Sequence, residues 1–392
     1  VKRSYRVLIC GLGVAGATLG WLLAEFGFEV VIVERAPAPR GGGYIIDFWG
    51  AGYDVAERTG VLEALRSASY QIDELRLVGA DGRPIAVVGA KAVRAAMGDR
   101  FFSLMRGDLA AVLYEQALCK AEVRFGEWVR HAEQDRSGVA VEFAHGHESM
   151  FDLVIGAEGV HSSLRAQLFP TIVARPTGLW AASFSAFGYP HRDPGAYVSY
   201  ATVGRQVARY ALRHDQSAFL FVFRAPRTAD APPLHPAAQK QCLHNLFSEA
   251  GWECREILAR LDGCHELYFD AVAQVRTPRW SKGRIGLVGD AAACPSLLAG
   301  EGTSLAMAGA YILARELDRC DGDFPAALAR YERRFRPVVE RKQKAALRLR
   351  GWFAPKSALG LQLRNGLTRL AAAPPFSRLL IGDMVSNRLQ LD

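Results

Sequence analysis

An acidic side chain stands where a short apolar run gives out near the end of the chain. Ile285 to Val288 reads as a buried strand, Gly289 and Asp290 end it, and Gly300-Glu301-Gly302 opens a helix running to about Cys320. An acid at the carboxyl end of a strand lies where open α/β sheets bind ligands. Paired glycines at a helix start leave the backbone amides of Gly302 and Thr303 bare, a ready site for negative charge. The chemistry of such a pair is recognition: hydroxyls toward the acid, negative charge toward the amides.

A second cluster opens the chain. Tyr5 to Cys10 reads as a strand, followed at once by Gly11-Leu12-Gly13-Val14-Ala15-Gly16, a helix from Ala15 to Phe26, and a strand from Glu29 to Val33 ending on Glu34. In this pattern Gly11 permits the tight turn, Gly13 lets a pyrophosphate approach the backbone, and Gly16 allows close helix–strand packing. Glu34 is placed to accept hydrogen bonds from a ribose, and Arg35 follows it. A lone G-x-G-x-x-G is weak evidence, but here strand, helix and acid all fall in place, so the segment reads as dinucleotide-binding. Gly41 to Gly43 then form a costly flexible run unless a ligand approaches, and Ile45, Ile46 and Asp47 follow it. Arg106 precedes a helix running to about Lys120, where it could hold a phosphate or be a surface arginine. Glu158 leaves another strand end, in the turn Gly156 to Gly159, with a helix starting at Ser162 to Arg165. His145 and His147 have metal-like spacing, yet no cysteine or acid cluster supports them, so solvated histidines and no metal are expected.

The elements that must hold these groups fall into two kinds. Strand–helix alternation marks a nucleotide-binding part, expected over 1–70, 98–175 and 276–345. Residues 72 to 88 alternate around Asp81-Gly82 as a hairpin. Runs at Trp180 to Phe187, Ala196 to Thr202, Val207 to Leu212 and Ala218 to Arg224 read as antiparallel strands. These define an inserted substrate-binding part, 71–97 and 176–275, with two helices near 237–249 and 253–261 and a returning strand near 266–275. Shorter strands are expected at 122–128 and 138–144. The segment SAFLFVFR is apolar on both faces, so one side of its sheet packs on protein and the other could meet a ligand. Phe219, Phe221 and Phe223 are the candidate wall. A helical region with Pro337 as a kink or break and a helical segment at 346–392, with Pro374-Pro375 inside it, complete the chain.

The whole-chain numbers set bounds. The chain has 392 residues, half of them hydrophobic and 22% charged, which suits a globular protein of two or three lobes. No apolar run approaches the ~18–20 residues that span a bilayer. The chain enters a strand at once, so no signal peptide is expected. Seven cysteines without a C-x-x-C suit reduced thiols in a cytoplasm. A net charge of +8 could favour an anionic cofactor, although scattered surface arginines explain it as well. No aromatic-interleaved basic motif points to nucleic acid. A basic stretch from Arg341 to Phe353 suits packing against the core better than a membrane surface, so no stable membrane insertion is expected.

Taken in order, the four motifs resemble those of the group A flavin-dependent monooxygenases, with the para-hydroxybenzoate hydroxylase fold, among them the tetracycline-inactivating monooxygenases. The resemblance covers residues 5 to about 345. It implies an α/β fold: a Rossmann-like FAD-binding domain, an inserted antiparallel-sheet substrate domain and C-terminal helices. Gly11, Gly13, Gly16 and Glu34 match the segment for the ADP half of FAD, with Val14 and Ala15 at the same helix start and Arg35 at the adenosine end. Arg106 matches an arginine at the phosphate and ribityl region. Gly156 to Arg165 match a motif serving FAD and NAD(P)H, and Gly289-Asp290 match the pair whose acid binds the ribityl chain. Gly43 and Asp47 would border the isoalloxazine, while Gly300, Gly302 and Thr303 would face its pyrimidine edge. Glu158 replaces the usual Asp, Ser296-Leu297 stands where two prolines are usual, and Ala293 where a histidine is common.

The resemblance further implies noncovalent FAD, transient NADPH or NADH, and O₂ as co-substrate. One oxygen atom would pass from a flavin C4a-hydroperoxide to an apolar, aromatic or polyketide-like small molecule, as in secondary metabolism or antibiotic modification. No second strand–GxGxxG–helix unit holds a nicotinamide permanently, which agrees. No catalytic acid or base is assignable, because the flavin carries the chemistry. Ile46, Pro295 and Leu297 join the three phenylalanines as expected pocket residues, and a monomer or weak homodimer is expected. A flavin reductase or dehydrogenase without oxygen insertion and a noncatalytic flavin-binding protein are the alternatives. A flavin halogenase is disfavoured because no two tryptophans stand at i and i+2.

Overall fold

The computed structural model describes residues 4–39, 42–89, 100–226, 229, 231–371 and 391. Gly41 of the glycine run and Pro374-Pro375 lie outside the described residues. A six-stranded sheet runs in the order Ser281–Lys282, Ile285–Leu287, Leu153–Gly156, Arg6–Cys10, Glu29–Glu34 and Glu122–Phe125. The last five strands are parallel; the first is an antiparallel edge. Val7, Leu8 and Ile9 have no exposure at all, as a parallel strand covered on both faces requires. One face packs on the helices Val14–Glu25, Arg106–Leu118 and Gly302–Asp318. The other packs on a small antiparallel sheet of Val129–Gln134, Val139–Phe143 and Glu148–Phe151.

That small sheet departs from the expected strand at 122–128. The expected strand is Glu122–Phe125 in the large sheet, and a further strand, Val129–Gln134, follows it in the small one. Gly126, with φ of 70°, turns the chain between them.

The second large sheet has seven strands: Tyr268–Gln274, Arg175–Phe187, Gln216–Arg224, Arg205–Ala211, Ala196–Thr202, Glu74–Val78 and Pro84–Gly89. All neighbours are antiparallel except Ala196–Thr202 with Glu74–Val78, which run parallel. The helices Pro236–Phe247 and Cys254–Asp262 cover one face. The turn Leu297–Ala299 and the end of the long helix Phe324–Phe353 approach the other.

Side chains alternate along a strand, so Gln216–Arg224 sorts its residues between these faces. Phe219, Phe221 and Phe223 pack on the two helices with Phe247, Leu243 and Trp180. The expected wall is therefore covered by these two helices. Ala218, Leu220 and Val222 face the six-stranded half instead.

The Phe324–Phe353 helix continues through Pro337 and across residue 345 without ending. A further helix, Ala358–Ala371, follows. Among the described residues, no helix is long and apolar enough to cross a membrane.

Candidate functional site

The glycine-rich turn divides its glycines by what surrounds them. A Cβ on Gly11, where φ is 103°, would lie 2.7 Å from the Ala157 carbonyl oxygen, and one on Gly16 only 1.9 Å from the Gly11 oxygen. These two are required by packing against the protein itself. A Cβ on Gly13 would meet nothing within 4 Å. Gly13 is also the N-cap of Val14–Glu25, and no side chain caps that helix. The middle glycine thus opens onto space beside bare amides, with Val14 and Ala15 6% exposed at the helix start. Glu34 closes the turn by accepting from the amides of Leu12 at 3.0 Å and Ala36 at 2.9 Å. Arg35 leaves this cluster and lies 5.6 Å above the Trp128 ring.

The second helix start repeats the arrangement. A Cβ on Gly300 or Gly302 would likewise meet nothing within 4 Å, and no side chain caps Gly302–Asp318. Thr303 is partly buried beside them, and Ser304 donates to the Trp49 carbonyl at 2.9 Å. The two helix starts meet at Gly289, where φ is 61° and a Cβ would come within 2.7 Å of the Ala15 methyl. Two motifs 273 positions apart, from Gly16 to Gly289, are one surface.

Asp290 begins a short helix, Asp290–Ala293, and is drawn into a group that includes Arg106, Tyr44 and Cys294. Burial pushes its carboxyl above the usual range, while a hydrogen bond from Cys294 and the charge of Arg106 pull the other way. Arg106 is fixed by its amide, which donates to the Tyr44 carbonyl at 3.0 Å. Gly43 sits against Arg106, and its carbonyl accepts from the Ser183 hydroxyl at 3.0 Å, tying this loop to the seven-stranded sheet. Tyr44 packs on Tyr268 with ring centroids 5.6 Å apart.

The strand Ile45–Trp49 pairs with Phe101–Met105 and alternates in the same way. Ile46 and Phe48 enter the main core, so Ile46 does not line the cleft as expected. Asp47 is on the other face. It lies near Tyr197 and Tyr210, whose hydroxyls are raised by burial and further by the Asp47 charge. Burial raises its carboxyl, and the Ser103 hydroxyl, donating at 2.7 Å, opposes that rise. Ile45 donates its amide to the Tyr210 hydroxyl, and Tyr210 stacks on Tyr197.

Glu158 points elsewhere. Its carboxylate accepts from the hydroxyls of Ser162 and Ser163 and from the Leu164 amide, capping the helix Ser163–Leu168. The expected cofactor acid is engaged in its own turn, and the longer side chain allows that reach. Nearby Arg165, 4% exposed, donates to the carbonyls of Gly159, Val160 and Ala291, which locks this turn to the Asp290 helix.

Pro295 is buried, and its carbonyl accepts from Gln274. Ser296 has φ of 84°, unusual for a residue with a side chain, and its buried hydroxyl has no partner. Leu297 and Leu298 then lie on the sheet face shared by Leu220 and Val222. His145 Nε2 donates to the Gly126 carbonyl oxygen at 3.2 Å, and His147 stacks on Phe143. Tyr44, Ser103, Tyr210 and Leu220 were not singled out by sequence reasoning. Only Tyr44 carried a signal, an aromatic directly after the glycine run.

The arrangement fits an elongated dinucleotide. Three glycines open onto space, two helix starts offer uncapped amides, and acids stand at the ends of the strands Glu29–Glu34 and Ile285–Leu287. This defines a nucleotide-binding α/β protein with a second sheet set over the nucleotide site. The family model described as FAD binding domain matches residues 4–346. A flavin-dependent monooxygenase from an unidentified prokaryote is 33% identical over 349 residues, covering 88% of each chain. Another, from Legionella longbeachae serogroup 1 (strain NSW150), is 30% identical over 355 residues with the same coverage. The solved structure of tetracycline destructase Tet(55) superposes with a TM-score of 0.83 at 29% identity, covering 99% of this chain and 98% of that one. The chain belongs to the FAD-binding-domain family, and it is a FAD-dependent monooxygenase.

Proposed function

We propose that the chain oxidises NADPH or NADH and inserts one atom of O₂ into an apolar, aromatic or polyketide-like molecule of the kind that includes tetracyclines. Bound FAD supplies hydride acceptance and oxygen activation; the protein supplies binding, orientation and exclusion of water. The observation that supports this reading is the pair of uncapped helix starts meeting at Gly289 beside Asp290, with the Gly43 loop tying them to the seven-stranded sheet.

In this reading Gly11, Gly13, Val14, Ala15, Gly16 and Glu34 hold the ADP half of FAD, with Arg35 at its adenosine end. Arg106 and Asp290 hold the phosphate and ribityl region. Gly43, Asp47, Gly289, Gly300, Gly302 and Thr303 border the ring system. The amides at Gly302 and Thr303 carry roughly half a positive charge and can stabilise negative charge that develops on a reduced flavin. Leu220, Tyr197 and Tyr210 form the wall in place of the phenylalanines, and Pro295 and Leu297 shape the entrance.

The same reading divides the chain into a cofactor part built on the six-stranded sheet and a substrate part built on the seven-stranded one. It places the enzyme in the cytoplasm, as a monomer or weak homodimer.

The test is stoichiometry. Compounds that accelerate NAD(P)H-dependent flavin reduction should consume NAD(P)H and O₂ and yield oxygenated product in equal amounts. Reduction that yields hydrogen peroxide without product for every compound tried would instead favour an uncoupled reductase.

A further inference from the structure

The helix Gly302–Asp318 begins beside a residue that works against an anion site. Glu301 is its N-cap, and an unopposed carboxylate there would cancel the partial positive charge of the helix start. Glu301 nevertheless makes no capping hydrogen bond. Its Oε1 accepts instead from Lys342 Nζ at 2.6 Å, across to the Phe324–Phe353 helix. Both side chains are largely enclosed, 12% and 15% exposed, so water screens the pair weakly. Lys342 Nζ also lies 5.4 Å from the Trp49 ring centroid, which helps hold the ammonium in place. Burial raises the Glu301 carboxyl and Lys342 opposes that rise.

From this geometry we infer that Lys342 is a positioning residue: it turns the Glu301 carboxylate away from the helix start and neutralises it, so that the amides of Gly302 and Thr303 remain available for the negative charge of reduced FAD. The inference rests on the proposed placement of the flavin ring at this helix end. Without the lysine, Glu301 carries an unopposed negative charge beside that ring. Oxidised FAD is little affected, because its ring is neutral, whereas the reduced, anionic ring is repelled. A charge beside an enclosed site is worth about tenfold in such an equilibrium. By linkage, a tenfold loss in affinity for the reduced form over the oxidised form is a fall of about 30 mV in a two-electron midpoint potential.

The experiment uses the FAD-loaded full chain and measures two quantities: the affinity for oxidised FAD by fluorescence titration, and the midpoint potential against a reference dye. Lys342→Met should lower the potential by about 30 mV while changing oxidised-FAD affinity less than threefold. Lys342→Met with Glu301→Gln should return the potential close to wild type, because the charge needing compensation is gone. Glu301→Gln alone should raise it, which keeps the idea testable if Lys342→Met does not fold. An unchanged potential in either single variant, or a double variant as low as Lys342→Met, overturns the inference. Wild-type protein that takes up FAD with no response to these substitutions sinks this inference alone. Wild-type protein that does not take up FAD sinks the functional reading with it.

Discussion

Asp290 shows most directly how a residue proposed to bind a cofactor can work against the stability of the protein that carries it. Its carboxyl is raised by burial, only partly opposed by Cys294 and Arg106, so ionisation in the folded chain is unfavourable relative to the unfolded chain. For a carboxyl raised in this way, its favourable contribution to folding is complete below its unfolded value and is lost as pH rises through the folded value. Asp290→Asn should therefore raise the melting temperature of FAD-free protein at neutral pH. The advantage should vanish below about pH 4, the ordinary carboxylate range. The same substitution should reduce FAD occupancy, since an acceptor for hydroxyls is weakened. A variant with unchanged occupancy would break the assignment of Asp290 to the ribityl chain, and one with unchanged melting at neutral pH would break the electrostatic account.

At the scale of elements, the strand Gln216–Arg224 sends its nine residues alternately to two different cores. Phe221 is fully buried against Phe247 at a centroid distance of 4.9 Å, while Leu220, one residue away, faces the other half of the molecule. Phe221→Ala should cost about 3–5 kcal/mol in urea unfolding. Leu220→Trp should change which compounds stimulate flavin reduction while leaving FAD content near wild type. Were the effects exchanged, with Phe221 controlling substrate range, the cleft would lie on the helix-covered face. The Val14–Glu25 and Gly302–Asp318 helices act as a pair in the same sense, since both starts are uncapped and they meet through Ala15 and Gly289.

Across the whole molecule, the site joins segments from Gly11 to Leu298, so no single part of the chain contains it. Gly43 is bound to Ser183 in one sheet and packs on Arg106 beside the other, so the loop proposed to border the cofactor also links the two sheets. A ligand there stabilises the folded chain by mass action, about 2.7 kcal/mol at a hundred times its dissociation constant. FAD removal should lower the melting temperature by a few degrees. The near-ultraviolet signal from the tryptophans and the far-ultraviolet backbone signal should shift together. Separate transitions after FAD removal would show that the two sheets fold independently of the site.

Much of this was legible before any fold was known. G-x-G-x-x-G between strand and helix, Glu34 at the next strand end and Gly-Asp at 289–290 are local patterns, because backbone torsion and the periods of helix and strand act over a few residues. The seven-stranded sheet was legible for the same reason, in its alternation and its turns. What local patterns left open was parity and partnership. In SAFLFVFR both faces are apolar, so nothing nearby decides whether 219-221-223 or 218-220-222 packs under helices; the helices at Pro236–Phe247 and Cys254–Asp262 cover the first set. Ile46 and Asp47 are sorted by their pairing with Phe101–Met105. Glu158 turns to its own helix because Ser162, Ser163 and the Leu164 amide are within reach there. Lys342 finds Glu301 only because two helices pack side by side, 41 positions apart in the chain. The type of cofactor was thus written in short-range torsion and charge, whereas which face of the sheet the helices cover, and which charges are balanced, depended on contacts that exist only once the sheets and helices are assembled.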